Sequence, residues 1–178
     1  MATSTKRFIT ALTAAAGLAV LAGSTTGFAA AVRTIQIMDQ CDPETFNAMF
    51  GAGTCVGNAG GVKLDVLFSQ LLKHGKAGAW HFTPDPVRLR DGEEFIAFNH
   101  GGEAHTFTEV DEFGGGFVPE LNDILGLTPT PECAALAQTL PVGLILPGQS
   151  SDPEDEEVGV HHYQCCIHPW MQTDVIVR

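Results

Sequence analysis

The sequence predicts an all-β sandwich that carries a helix-containing insertion near its N-terminus. Three observations lead there. From Trp80 onward the chain breaks into short stretches of alternating residues, separated by turns rich in Gly, Pro and Asp. No strand–helix unit repeats, which argues against a parallel α/β sheet. One long stretch before Trp80, residues 62–74, spaces its apolar residues as a helix does.

Taken in order, residues 32–38 alternate as a strand, with Arg33, Ile35 and Ile37 on one face and Val32, Thr34, Gln36 and Met38 on the other. Residues 39–58 hold Pro43, Gly51, Gly53 and Gly57 and are predicted to be loop. In the helix over 62–74, Leu64, Leu67, Phe68, Leu71 and Leu72 form a core-facing stripe and Gly75 offers a stop. Short strands are predicted over 80–83 and 87–90, around Pro84 and Pro86, with a turn at Asp91-Gly92. Residues 94–99 alternate with Phe95, Ala97 and Asn99 on one face, and residues 106–110 form the next strand. Gly114-Gly115-Gly116 makes a turn, and 121–140 is a connection with a short helix over 132–138. A strand over 141–146 ends at Pro147-Gly148, and strands over 159–165 and 173–177 close the domain. The acidic run 152–157 reads equally as a solvated loop or a guide for a partner.

Residues 1–31 stand apart. Lys6 and Arg7 precede an apolar run over 8–22, and Ala29-Ala30-Ala31 fits a small-residue cleavage site, with cleavage after Ala29 as the alternative. That is the pattern of a secretory signal peptide. No later stretch approaches the ~18 apolar residues of a membrane helix. The expectation is one domain over 32–178, exported to the periplasm or secreted, with no membrane span in the mature chain. Removal of Lys6 and Arg7 takes the formal charge from −12 to −14, which disfavours nucleic acid and anionic membranes and favours a basic protein partner.

The chemistry concentrates in Tyr163-Gln164-Cys165-Cys166-Ile167-His168-Pro169-Trp170-Met171. Cys-x-x-His-x-x-Met puts a thiolate, an imidazole and a thioether on one loop. Two His, one Cys and a weak axial Met are the ligands of a blue-copper electron-transfer site. Soft sulfur suits Cu(I) and imidazole suits both oxidation states. A second His must come from upstream, and His105, in Asn99-His100-Gly101-Gly102-Glu103-Ala104-His105, is the candidate, with His100 as competitor. Neighbouring strand residues face opposite ways, so Cys165 and Cys166 have different surroundings.

These residues resemble the cupredoxins, small type 1 copper proteins. The compact Cys-x-x-His-Pro-x-Met loop is similar to that of amicyanin, and the order of motifs follows the family over residues 79–178. The resemblance implies a Greek-key sandwich and one type 1 copper bound by His105, Cys165, His168 and Met171. It places the first His several residues past a strand-ending Asn, as His105 stands after Asn99, and it makes Cys165 rather than Cys166 the ligand by spacing. The family often has Asn after that first His and Pro before it, where this chain has Thr106 and Ala104. Zinc rarely uses Met. Adjacent Cys cannot reproduce a dinuclear copper loop, and the His-Cys-His triplet of multicopper oxidases is missing.

With Cys165 as ligand, an even remainder of four Cys in an exported chain suggests two disulfides. Spacing favours Cys41–Cys55, which leaves Cys133–Cys166. The implied function is electron carriage between redox protein partners, not enzymatic conversion of a substrate. The alternatives are a copper-handling protein, or an electron-entry subunit of a larger oxidoreductase. By the same resemblance His168 is the electron port, framed by Pro169 and an exposed Trp170. His74, His81, His161 and His162 are read as structural or solvated.

Overall fold

A computed structural model describes residues 32–178, and the expected signal segment 1–31 lies outside the described residues. In chain order the strands are β1 (Arg33–Met38), β2 (His81–Thr83), β3 (Val87–Leu89), β4 (Phe95–Asn99), β5 (Thr108–Val110), β6 (Gly159–Gln164) and β7 (Gln172–Val177). One sheet runs β2-β1-β4 and the other β3-β7-β6-β5. The β1–β4 and β3–β7 pairs are parallel, and the β1–β2, β5–β6 and β6–β7 pairs are antiparallel. The alternation in β1 puts Ile35 and Ile37 into the core, both fully buried. They share one apolar cluster with Phe95 and Ala97 of β4, Val87 of β3, Tyr163 of β6 and Val175 of β7. Phe95 meets Tyr163 edge-on at 5.7 Å, which joins the two sheets.

The helices are α1 (Pro43–Phe50), α2 (Leu64–His74), α3 (Pro119–Leu125) and α4 (Pro131–Ala137). α2 matches the predicted stripe at Leu64, Leu67 and Leu71, and ends at Gly75 in the left-handed region, φ 68°, where a residue without Cβ is favoured. Leu72, assigned to the stripe, instead stands 72% exposed.

Three departures have physical causes. Residues 43–50 are a helix, not loop: Asp42 accepts a bond from the Thr45 amide at 3.0 Å and Pro43 is pre-set for the first turn. The flanking glycines hid that start signal. α3 is a second helix beside the expected connection, again opened by a proline. Residues 141–146 form no strand. Pro141 and Gly143, at φ 83°, bend the chain, and the Val142 amide turns back to the Thr139 carbonyl at 3.1 Å. Only Ile145 pairs, in a single bridge to His105.

Both expected disulfides are present, Cys41–Cys55 across the insertion and Cys133–Cys166 between α4 and the loop after β6. Cys165 is the one free cysteine among the described residues. Among those residues no helix is long and apolar enough to cross a membrane.

Candidate metal centre

Asn99 ends β4 fully buried, and its side chain shapes the turn that follows. Its Nδ2 donates to the Glu103 and Ile145 carbonyls at 2.7 and 2.8 Å, and its Oδ1 accepts from the Gly101 amide at 2.8 Å. His105 then sits against Ile145 through two backbone bonds of 3.1 and 2.8 Å. Pairing with the bent 141–146 segment has shrunk to the one residue that braces this imidazole.

The opposite loop leaves β6 at Gln164 and closes on itself. The Cys165 amide donates to the Met171 carbonyl at 3.0 Å and the Met171 amide to the His168 carbonyl at 2.8 Å. The Cys165 sulfur accepts from the amides of Thr106 and His168, both at 3.4 Å. Amide donors at a sulfur favour the thiolate. Thr106 also accepts the Cys166 amide on its hydroxyl at 2.7 Å. The hydroxyl therefore ties the two loops together. Cys166 turns to Cys133, and the Phe117 amide takes the Cys166 carbonyl at 2.8 Å. Gly116 is required there, since a Cβ would collide with that carbonyl.

The two loops bring together His105, Cys165 and His168, all buried. The sulfur lies 3.7 Å from Nδ1 of each ring, and the two Nδ1 atoms are 3.2 Å apart. Those edges suit donors around one ion with bonds of about 2.0 Å to nitrogen and about 2.3 Å to sulfur. The donor set of one thiolate and two imidazoles fits copper. Met171 is buried in the same loop, 1% exposed. His100, the competitor, is exposed and packs on Phe98 instead.

Charge at the cluster is strongly coupled. Burial pushes the Cys165 thiol up, but the hydrogen bonds and charges of His105 and His168 outweigh it and hold it well below the usual thiol range. Burial pulls His105 down, yet Asp39 and the thiolate push it up to about 9. Asp39 was not anticipated from the sequence. It directly follows β1, is buried, and takes Nε2–H of His105 at 2.8 Å. The amides of Cys41, Gly102 and Glu103 also donate to it, at 3.1, 2.9 and 3.1 Å. Burial would raise this carboxyl, but the His105 bond and those amides hold it well below the ordinary carboxylate range. Gly101 allows the approach, because a Cβ there would collide with Asp39 Oδ2. The available signal was two glycines before a His; nothing in spacing tied them to residue 39.

Glu103 is the other unforeseen carboxyl. Burial pushes it up, opposed by the charge of His168. Its Oε2 takes the Trp80 indole N–H at 2.8 Å and lies 3.7 Å from His168 Nε2. His168 itself is only 4% exposed. Trp170 is half-buried rather than free, meets the His168 ring edge-on at 5.4 Å, and has its indole nitrogen buried without a partner.

The other histidines lie outside the cluster. His161 points Nδ1 at Glu109 (2.8 Å) and Glu156 (3.2 Å) and Nε2 at the Glu157 carbonyl (2.9 Å), so both nitrogens face acceptors, which favours the protonated ring. His162 pairs with Asp174 at 2.8 Å, and His74 and His81 are exposed.

No family model matches the sequence, and no curated protein aligns with it significantly. Among solved structures, the chain is similar to a purple cupredoxin from Nitrosopumilus maritimus, at 17% identity over 82% of this chain and 99% of that one, with a TM-score of 0.43. It is also similar to a reduced amicyanin mutant, at 16% identity over 55% of this chain and 73% of that one, TM-score 0.35. A Cu(I) form of another amicyanin mutant gives 16% identity, 57% and 76% coverage, and TM-score 0.35. The architecture of this chain is a two-sheet β-sandwich with a helical insertion.

Proposed function

We propose that this chain is an exported type 1 copper protein that carries single electrons between redox protein partners. The observation that carries the reading is the buried triangle of Cys165 Sγ, His105 Nδ1 and His168 Nδ1 with edges of 3.7, 3.7 and 3.2 Å. His105, Cys165 and His168 would hold the ion strongly and Met171, buried in the same loop, would be a weaker fourth ligand. When bound, copper supplies the one-electron couple. The chain's part is to keep that couple rigid and dry. Two amides hold the thiolate, Thr106 locks the two loops, and Asp39 fixes His105 with Nδ1 toward the sulfur.

Two disulfides support an oxidising compartment, in line with export by way of residues 1–31 as a signal peptide and a mature domain over 32–178. The acidic balance favours a basic partner. A copper-handling role is less well supported, because exchange needs accessible ligands and these are buried.

The visible spectrum of the copper-loaded oxidised protein tests the reading. An intense blue thiolate-to-copper band is expected, lost in Cys165→Ser and retained in Cys166→Ser. The opposite behaviour of the two variants, or a colourless loaded protein, refutes it.

A further inference from the structure

His168 is covered, yet it lines two cavities. One, of about 440 Å³, lies against Val56 and Leu146. The other, of about 530 Å³, lies under the insertion and is walled by Phe46, Phe50, Phe68, Leu67 and Leu121. Thr54, Glu103, Ile167 and His168 line both. An apolar pocket with a few converging polar groups is the usual form of a small-molecule site.

The polar end is specific. His168 Nε2 has no hydrogen-bond partner in the fold: its nearest carboxyl oxygen, Glu103 Oε2, is 3.7 Å away, too far for a bond. Glu103 is held in place by the Trp80 indole, and a carboxyl oxygen that accepts one bond still has capacity for another. On the copper reading above, on which this inference rests, Nδ1 of His168 faces the ion and Nε2 is the ring's N–H. One donor and one acceptor, a hydrogen bond too far apart, are matched by a hydroxyl group, which accepts from the first and donates to the second. A carbonyl, which only accepts, or an ammonium group, which only donates, would serve only one of them. The remainder of the cavity, with three phenylalanine rings, suits an aromatic ring packed edge-on or offset.

We propose that the cavity under the insertion binds a single-ring phenol, with its hydroxyl between His168 Nε2 and Glu103 and its ring among Phe46, Phe50 and Phe68. The site is one of binding, and no bond is made or broken in it. Water at the polar end would leave the apolar walls unfilled. An apolar side chain of a protein partner, such as Phe or Leu, would satisfy the walls without selecting a hydroxyl.

The test titrates the Cu(I)-loaded full mature protein with p-cresol and with toluene, followed by NMR. Saturable one-to-one binding of p-cresol is expected, with toluene weaker by about ten-fold or more, since toluene leaves both polar groups unpaired. Thr54→Trp, at the residue shared by both cavities, should weaken p-cresol by a similar factor. The blue band of the reoxidised protein is read in parallel. Equal binding of p-cresol and toluene, or no saturation by a protein that shows the band, overturns the proposal. Unchanged p-cresol binding in Thr54→Trp overturns its placement. A protein without the band that still selects p-cresol over toluene would sink the copper reading and sustain the pocket.

Discussion

His105 and His168 present the same ring atom to the same sulfur at the same 3.7 Å, but they stand in opposite surroundings. His105 is walled in. Its Nε2 is bonded to a buried carboxylate that three amides also hold, and its backbone is paired with Ile145. His168 has no hydrogen bond at Nε2 and borders two cavities. The difference teaches where rigidity and access reside in such a site. One imidazole is fixed from the side of β1, and the other is left to face whatever approaches. An ion bound between them would be anchored by the first and reached through the second.

Glycine substitutions should break the symmetry most. His105→Gly and His168→Gly each remove a strong ligand and should each abolish the blue band. Added imidazole should restore it in His168→Gly, where the vacated ring volume joins open cavities. It should fail in His105→Gly, where the hole is enclosed and Asp39 is left buried without its partner. Restoration in both variants, followed by absorbance during an imidazole titration, would show that the two sides are equally open.

Each side also has its own disulfide, which sharpens the contrast. Cys41–Cys55 closes 14 residues next to Asp39, and Cys133–Cys166 closes 33 residues and holds the loop of His168. Chain-entropy estimates give about 3 and about 4 kcal/mol respectively. Paired Ser substitutions should lower the thermal midpoint by roughly 10 °C in each case. Only the loss of Cys133–Cys166 should also change the copper spectrum, since Cys166 adjoins the thiolate. Identical spectra for both would mean that the loop holds its shape without the bridge.

The two sides also differ in how far they could be read from sequence. The spacing of Cys165, His168 and Met171 was legible, because the three lie within seven residues, and so were the different surroundings of Cys165 and Cys166. The β-strands with strict alternation, β1 and β4, were legible for the same local reason. The buried carboxyls beside the two rings were not. Asp39 reaches His105 across 66 residues, and Glu103, on the side of His168, reads as an ordinary turn glutamate until Trp80 closes over it. Helix α1 was missed although Asp42-Pro43 announces it, because the glycines after Phe50 outweighed a start signal for only eight residues. Long-range polar pairings leave no periodic trace, and those are what distinguish the two imidazoles.

Asp39→Ala tests the anchored side directly. Loss of the partner that fixes a ligand's ring and tautomer should weaken copper by about 10- to 100-fold. Glu103→Gln, on the other side, should weaken it several-fold at most, since 3.7 Å to His168 is not a bond. Competition against a chelator of known affinity measures both. A larger loss in Glu103→Gln would reverse the assignment of anchor and access.

The smallest effect is in the pH dependence of the metal-free protein. His105 titrates at about 9 in the fold against 6.5 for a free ring, so its contribution is fully present below pH 6.5 and is lost as pH rises to about 9. Cys165 acts with the opposite sign: its folded thiol titrates well below 9.0, so its contribution is present above that value and is lost as pH falls. Between those limits folding takes up a proton at His105 and releases one at Cys165, and the two slopes oppose each other. With His161, whose proton the fold also favours, replaced by Gln in every variant, stability measured by urea unfolding at pH 6.5, 7.5 and 8.5 should therefore be nearly flat when Cys165 and Asp39 are intact. Cys165→Ser removes one slope and should expose the other, a fall of up to about 1.4 kcal/mol per pH unit. The fall should end earlier than in the wild-type titration of His105, because the thiolate that helps to hold its proton is gone. Cys165→Ser combined with Asp39→Asn should be flat again. A fall that survives the second substitution would mean that the proton on His105 does not depend on Asp39, and that the two imidazoles differ less than their surroundings suggest.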